Sequence, residues 1–185
     1  MNFRQTLGCA LFALLLSVSL QAQNSFQSYF SVQAGLGLIP TYFLDGAKTM
    51  VPPLSVSVNY RLNSILSVGA FSGFSASKMV HSYKDGSVHQ WENNSMVYGV
   101  QFAAHSANFK KVDIYGGAKI GYSQPDVKHS VIVPGEDIIS EPKVHRGMIY
   151  GGFLGLGVPV GKKIGFYSEL GYGVTILDLG LTLKL

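Results

Sequence analysis

The sequence predicts an all-β fold, an eight-stranded antiparallel up-and-down transmembrane β-barrel. Three observations lead there. Apolar residues alternate with polar or small ones at a period of two in about eight segments, the signature of strands with two unlike faces. Hydrophobic residues make up 47% of the chain and charged residues only 13%, where a soluble domain carries about 25% charged. No stretch beyond the N-terminal segment holds the 18 or more consecutive apolar residues of a spanning helix. A chain this apolar, without such a helix, satisfies its backbone inside a bilayer only as a closed barrel.

The first residues describe export. Arg4 gives a positive start, Leu7 to Val18 is a short apolar core, and Ser19-Leu20-Gln21-Ala22 ends in a small residue. This is the pattern of a secretory signal peptide over residues 1–22, with cleavage expected after Ala22. The single cysteine, Cys9, precedes most of the apolar core, whereas a lipoprotein signal places its cysteine after it. Cleavage leaves residues 23–185 as one barrel domain without thiols or disulfides. A net charge of +4 is too small to argue for nucleic acid.

The strands are expected near 28–39, 53–62, 65–76, 92–105, 112–123, 146–158, 164–173 and 176–185. The second shows the rhythm most plainly, with Leu54, Val56, Val58, Tyr60 and Leu62 on one face and Ser55, Ser57, Asn59 and Arg61 on the other. Each segment is about as long as a tilted bilayer crossing requires. Tight turns follow at Asn63-Ser64, Ser106 to Lys111 and Pro159 to Lys163. At the opposite end the longer connections are Pro40 to Pro52, Ser77 to Trp91 and Gln124 to His145, with a short one at Gly173 to Thr175. Asp85-Gly86 and Pro134-Gly135 are turn signals within the two longest.

One parity of every strand is free of charge and is read as lipid-facing: Val32, Leu36, Val68, Val100, Ile120, Leu154, Leu170 and Leu181 belong to it. On that face Phe74, Tyr98, Tyr122, Tyr150 and Tyr172 fall toward the long-loop rim, and Phe30, Tyr60, Phe102 and Phe166 toward the other. These are candidate aromatic girdles. The opposite parity carries Gln33, Asn59, Arg61, Gln101, Asp113, Lys119, Glu169, Asp178 and Lys184 among many glycines. An eight-stranded lumen is nearly filled by its own side chains, so these polar residues are expected to form a plug. Buried charges need partners. A lumen network of Arg61, Asp113, Lys119, Glu169 and Lys184 is therefore expected, with Glu169 pairing Lys184 on the adjacent strand, or Arg61 or Lys119 across the interior.

The pattern resembles the small outer-membrane β-barrel proteins of Gram-negative bacteria, of the OmpA-like or OmpX-like eight-stranded type. The resemblance rests on Ser31-Val-Gln-Ala-Gly-Leu-Gly-Leu38, Val58-Asn-Tyr-Arg-Leu62, Leu66-Ser-Val-Gly-Ala70 and Leu179-Gly-Leu-Thr-Leu-Lys-Leu185. It implies an outer-membrane location, contact with lipid and lipopolysaccharide, and recognition of the last strand by the barrel-insertion machinery. Leu185 stands where the family more often has phenylalanine. The resemblance covers the barrel alone, so the periplasmic peptidoglycan-binding domain of full OmpA proteins is not expected.

Catalysis has a poor foothold along the sequence. Barrels that deacylate lipid A resemble this one but carry a His-x-Ser pair, whereas here His81-Ser82, His105-Ser106 and His129-Ser130 are adjacent. Strand neighbours face opposite sides, so none is a poised dyad. His81, His89, His129 and His145 lie in the expected loops at no standard metal-ligand spacing. No catalytic residue, cofactor site or metal site is assigned. The expectation is a non-enzymatic outer-membrane barrel acting through its outer loops, with a narrow channel or porin for small solutes or ions as the alternative. A soluble barrel of lipocalin type is the rival at the level of fold. Lys78, Lys84, Asp126, Lys128, Glu136, Asp137, Glu141, Lys143 and Arg146 give the loops mixed charge, suited to lipopolysaccharide phosphates or a protein partner.

Overall fold

A computed structural model describes residues 26–40, 47–83, 86–106, 112–134, 146–173 and 175–185. The predicted signal peptide, Lys84, Lys110, Lys111, Glu136, Asp137, Glu141, Lys143 and His145 lie outside the described residues. Eight strands run in chain order: β1 Tyr29–Pro40, β2 Lys48–Arg61, β3 Leu66–Ser82, β4 Val88–His105, β5 Asp113–Val133, β6 Gly147–Pro159, β7 Ile164–Gly171 and β8 Thr175–Lys184. Each pairs antiparallel with its sequence neighbour, and β8 closes on β1 from Ser31↔Lys184 to Leu36↔Leu179. Within the closed part, among the described residues, every strand is paired on both sides, which is what makes strands viable in lipid.

The barrel is inside-out relative to a soluble core. Phe30, Leu36, Val56, Val100, Ile120, Leu154 and Phe166 are exposed on its outer face, while Arg61, Gln101, Glu169 and Asp178 are buried within. That sorting follows from the pleat, since one register assigns every even or odd position of a strand to lipid or lumen.

The end of the barrel where β1 begins and β8 ends has compact turns at 62–65 and 160–163. Asn63 Oδ1 accepts hydrogen bonds from the backbone N–H groups of Ile65 and Leu66 at 2.8 and 2.7 Å, so the side chain itself builds the turn. Arg61 braces it from inside, donating through Nε to Asn63 O at 3.0 Å and through Nη2 to Ser64 O at 2.8 Å.

The opposite end corrects the expected loops. Ser77 to Trp91 is mostly strand, because β3 continues to Ser82 and β4 begins at Val88. β5 likewise continues to Val133, through most of what the sequence places at the start of a long loop. These extensions hold one another in register, as Lys78↔Glu92 and Glu92↔Lys128 show. Opposite charges across strands support such a ladder. The alternation misled here because the outer face turns from apolar to polar once the strands leave the bilayer, with Asn94, Glu92, Asp126 and Lys128 replacing Met96, Val100 and Ile120. Gly86 closes the β3–β4 tip at φ 85°, a backbone state open to glycine. β2 also starts earlier than expected, at Lys48, and register shifts on either side of Val51 accommodate Pro52 and Pro53 within the strand.

Candidate functional site

The lumen is built in layers, each set by inward residues that the register brings to one height. Midway through the barrel, Gln33 Oε1 accepts from Ser57 Oγ at 2.9 Å and from Asn59 Nδ2 at 3.0 Å, and Gln101 Nε2 donates to Asn59 Oδ1 at 2.6 Å. Beside them Lys119 pairs with Glu169. The Lys119 ammonium also lies 4.7 Å from the ring centre of Phe153 and 5.4 Å from that of Phe71, so two aromatic rings supplement its carboxylate partner. Glu169 stands opposite Asp178 in the β7–β8 ladder. Two adjacent carboxylates are tolerated because Lys119 answers one, while Ser55 Oγ and Tyr167 Oη donate to Oδ2 of the other.

Two glycines make room for the large lumen rings. A Cβ at Gly155 would collide with the Tyr115 ring, and one at Gly35 with the Tyr167 hydroxyl. Tyr115 therefore lies across bare backbone of the paired strand β6, and Tyr167 reaches past Gly180 on β8 to bare backbone of β1.

The expected charge network divides into separate pairs. Arg61 Nη1 donates to Asp113 Oδ2 at 3.0 Å near the terminal end, and Lys119 pairs with Glu169 further in. The expected partnership of Glu169 with Lys184 is not formed. Lys184 sits opposite Ser31, six residues along β8 from Asp178, and its ammonium lies 4.9 Å from the centre of the Tyr29 ring. Of the candidate girdle, Phe74, Tyr98, Tyr150 and Tyr172 are outward and exposed, and Tyr122 is half-buried with its ring 6.1 Å from Tyr98. On the other rim Phe30 and Tyr60 pack at 4.6 Å.

A cavity of about 330 Å³ occupies the terminal end of the lumen, lined among others by Tyr29, Arg61, Ser67, His105, Asp113 and Tyr115. A second space of only about 50 Å³ lies toward the loop end, against Phe71, Lys119, Glu169 and Asp178. Gln33, Gln101 and Tyr167 line both, so their layer divides the interior.

Sequence reasoning tested each histidine against its own neighbour and so missed the contacts of His105. Its Nε2 lies 2.7 Å from Ser67 Oγ on β3, and its Nδ1 lies 2.9 Å from Asp113 Oδ2 on β5. Ser67 stands opposite Ala103, and Tyr115 opposite His105, so serine and aspartate each sit diagonally from the histidine on flanking strands. The parity assignment held the signal, because all three residues are inward at the terminal ends of consecutive strands.

The projecting sheet carries a second cluster on its inner face. The His89 and His129 rings are parallel within 4°, with Nδ1 of one 2.7 Å from Nε2 of the other. Trp91 stacks on His129 at 5.3 Å, and Tyr83 meets His89 edge-on at 5.5 Å. His81 touches Tyr83 at 4.6 Å. Among the described residues no group of three or more His, Cys, Asp or Glu side chains is arranged to hold a metal ion.

A closed antiparallel barrel with an apolar outside and a polar inside is a protein that crosses a membrane by strands. The chain belongs to the outer membrane protein beta-barrel domain family, whose profile matches residues 10–180. No curated protein matches it. Among solved structures, the outer membrane protein OprG from Pseudomonas aeruginosa is similar over 85% of this chain and 93% of its own, with 10% identity and a TM-score of 0.53. The N-terminal β-barrel domain of OprF from the same organism is similar over 86% and 100%, with 13% identity and a TM-score of 0.43. Neisserial surface protein A is similar over 85% and 97%, with 15% identity and a TM-score of 0.42. Identity this low speaks to fold alone, and OprG carries that argument. The location is the outer membrane. By the family's usual orientation, the short-turn end faces the periplasm and the projecting sheet faces outward.

Proposed function

We propose that the protein is a sealed outer-membrane barrel that works by contact, through the projecting sheet of β3, β4 and β5 and the connections around it, without catalysis at that surface. The observation that carries this reading is the contrast between its two regions. The lumen is crossed by the Lys119–Glu169 pair and the Ser55–Tyr167–Asp178 hydrogen bonds, while three strands extend beyond the lipid-facing band. Trp91 Nε1 and Asn93 Oδ1 on the inner face of the projection are buried without a hydrogen-bond partner among the described residues, which leaves bonding capacity for something that docks there.

Lipopolysaccharide is the proposed outer partner, because Lys78, Lys128 and Arg146 bring cations to the projecting end, a chemistry suited to phosphates. Leu185, whose N–H donates to Phe30 O at 2.9 Å, is the proposed contact for the insertion machinery. The test is titration of the folded protein in detergent with purified lipopolysaccharide. Binding that weakens in Lys78→Glu and Lys128→Glu supports the reading, and binding indifferent to both charges opposes it.

A narrow channel is the second reading, favoured by the two cavities that follow one another along the lumen. Planar-bilayer conductance above the protein-free baseline, altered by Glu169→Ala, would select it.

A further inference from the structure

We propose that Ser67, His105 and Asp113 form a nucleophilic triad at the periplasmic mouth of the lumen, able to hydrolyse small carboxylic esters. This inference is independent of the outer-surface role. It rests on a chain of hydrogen bonds, on the space beside it and on the electrostatics around it.

The chain fixes the roles. A carboxylate only accepts hydrogen bonds, so the His105 Nδ1 that faces Asp113 Oδ2 at 2.9 Å and Oδ1 at 3.1 Å carries the ring proton. Nε2 is left as the acceptor, and the Ser67 hydroxyl donates to it at 2.7 Å. That is the serine–base–carboxylate order in which a hydroxyl becomes a nucleophile. The His105 ring is held in place by stacking on Tyr115, with centroids 5.2 Å apart and planes 27° apart. Arg61 Nη1 donates to the same Asp113 Oδ2 at 3.0 Å and holds the carboxylate as well.

The site also has room and charge. Ser67, His105 and Asp113 all line the 330 Å³ cavity, which suits a small acyl ester. Its apolar walls include Phe26, Tyr115 and Phe153. Arg61 spends three N–H groups on Asn63 O, Ser64 O and Asp113, leaving two of its five to meet negative charge on a carbonyl oxygen. The Tyr115 hydroxyl also borders the cavity, beside Gly155 on β6 and with Gln33 as its polar neighbour.

The reaction balances with water alone. As Ser67 Oγ bonds to the ester carbonyl carbon, Nε2 takes its proton. The C–O bond to the alcohol then breaks, and the alcohol leaves with that proton. Water attacks the resulting acyl-serine and gives a proton to Nε2. Ser67 Oγ leaves the carbon and regains a proton, releasing the carboxylic acid.

The experiment treats the folded barrel in detergent with a fluorophosphonate and maps the adduct by mass spectrometry, alongside hydrolysis of p-nitrophenyl acetate. The expected result is an adduct on Ser67 and turnover above the detergent blank. That turnover should be lost in Ser67→Ala and reduced about a hundredfold or more in His105→Gln. Both variants should keep the heat-dependent gel shift of a folded barrel. Labelling of the native protein needs no variant, so it decides the matter even where a substitution impairs folding. Absence of a Ser67 adduct, or hydrolysis unchanged in Ser67→Ala, would overturn the proposal.

Discussion

Replacing Glu169 with glutamine would strand the Lys119 ammonium inside the barrel. Glu169 is 6% exposed as a residue and the Lys119 side chain 18%, so the pair is held largely away from water. Breaking a buried ion pair by removing one member costs about 3–5 kcal/mol. Two features of this site reduce that figure. Lys119 keeps its contacts with the Phe71 and Phe153 rings, each worth about 0.5–2 kcal/mol to a cation. The substitution also removes a negative charge opposite Asp178. The expected net loss is about 2–3 kcal/mol, from the buried-pair cost less these compensations. The assay is urea unfolding in lipid vesicles, followed by the heat-dependent gel shift. With a slope of about 1–3 kcal/mol per molar urea, the midpoint should fall by about 0.7–3 M. The double variant Lys119→Met with Glu169→Leu removes both charges and should unfold near the wild-type midpoint. A Glu169→Gln protein as stable as wild type, or a double variant weaker than either single, would refute the reasoning, since both results mean the pair is not compensating a buried charge.

Three further outcomes follow from other parts of the barrel. Gly155→Val should lower stability by about 1–3 kcal/mol and reduce refolding yield, because its Cβ meets the Tyr115 ring; an unchanged urea midpoint would show that the ring has somewhere to go. Leu154→Arg places a cation on the lipid face of β6, where Leu154 is 71% exposed, and should cost about 2–4 kcal/mol in vesicles. A tolerant Leu154 would mean that this face does not meet hydrocarbon. Trp91 is the sole tryptophan, so His129→Ala should red-shift the protein's tryptophan emission as the stacked ring is uncovered; an unmoved spectrum would argue against the Trp91–His129 stack.

The membrane-spanning half of the barrel was legible because lipid imposes one rule on every strand. Leu54 to Leu62 and Leu177 to Leu185 alternate without interruption, and a single register shift would place Arg61 or Lys184 in hydrocarbon. Above the bilayer that rule lapses. Lys78 and Lys128 look like loop residues in one dimension, and they become strand only through pairing on either side of Glu92. Lumen charges were legible as a set and not as pairs. Parity identifies Glu169, Lys119 and Lys184 as inward, but height along the barrel decides who meets whom, and height depends on the stagger between strands.

The same dependence explains why the most reactive-looking constellation in the molecule was invisible along the sequence. A histidine on a strand cannot reach its sequence neighbour, since adjacent side chains point apart. It reaches diagonally, to inward residues two positions off its opposite partners on the flanking strands. For His105 those positions are Ser67, two beyond Ile65, and Asp113, two before Tyr115. In a barrel of known register, every inward histidine therefore has a small set of possible partners that can be listed beforehand. Applied to the projection, the diagonal from His89 across β4 and β5 leads to His129, which is where the parallel imidazole pair forms. Two rings sharing one hydrogen bond require one donor and one acceptor, so at least one must be neutral.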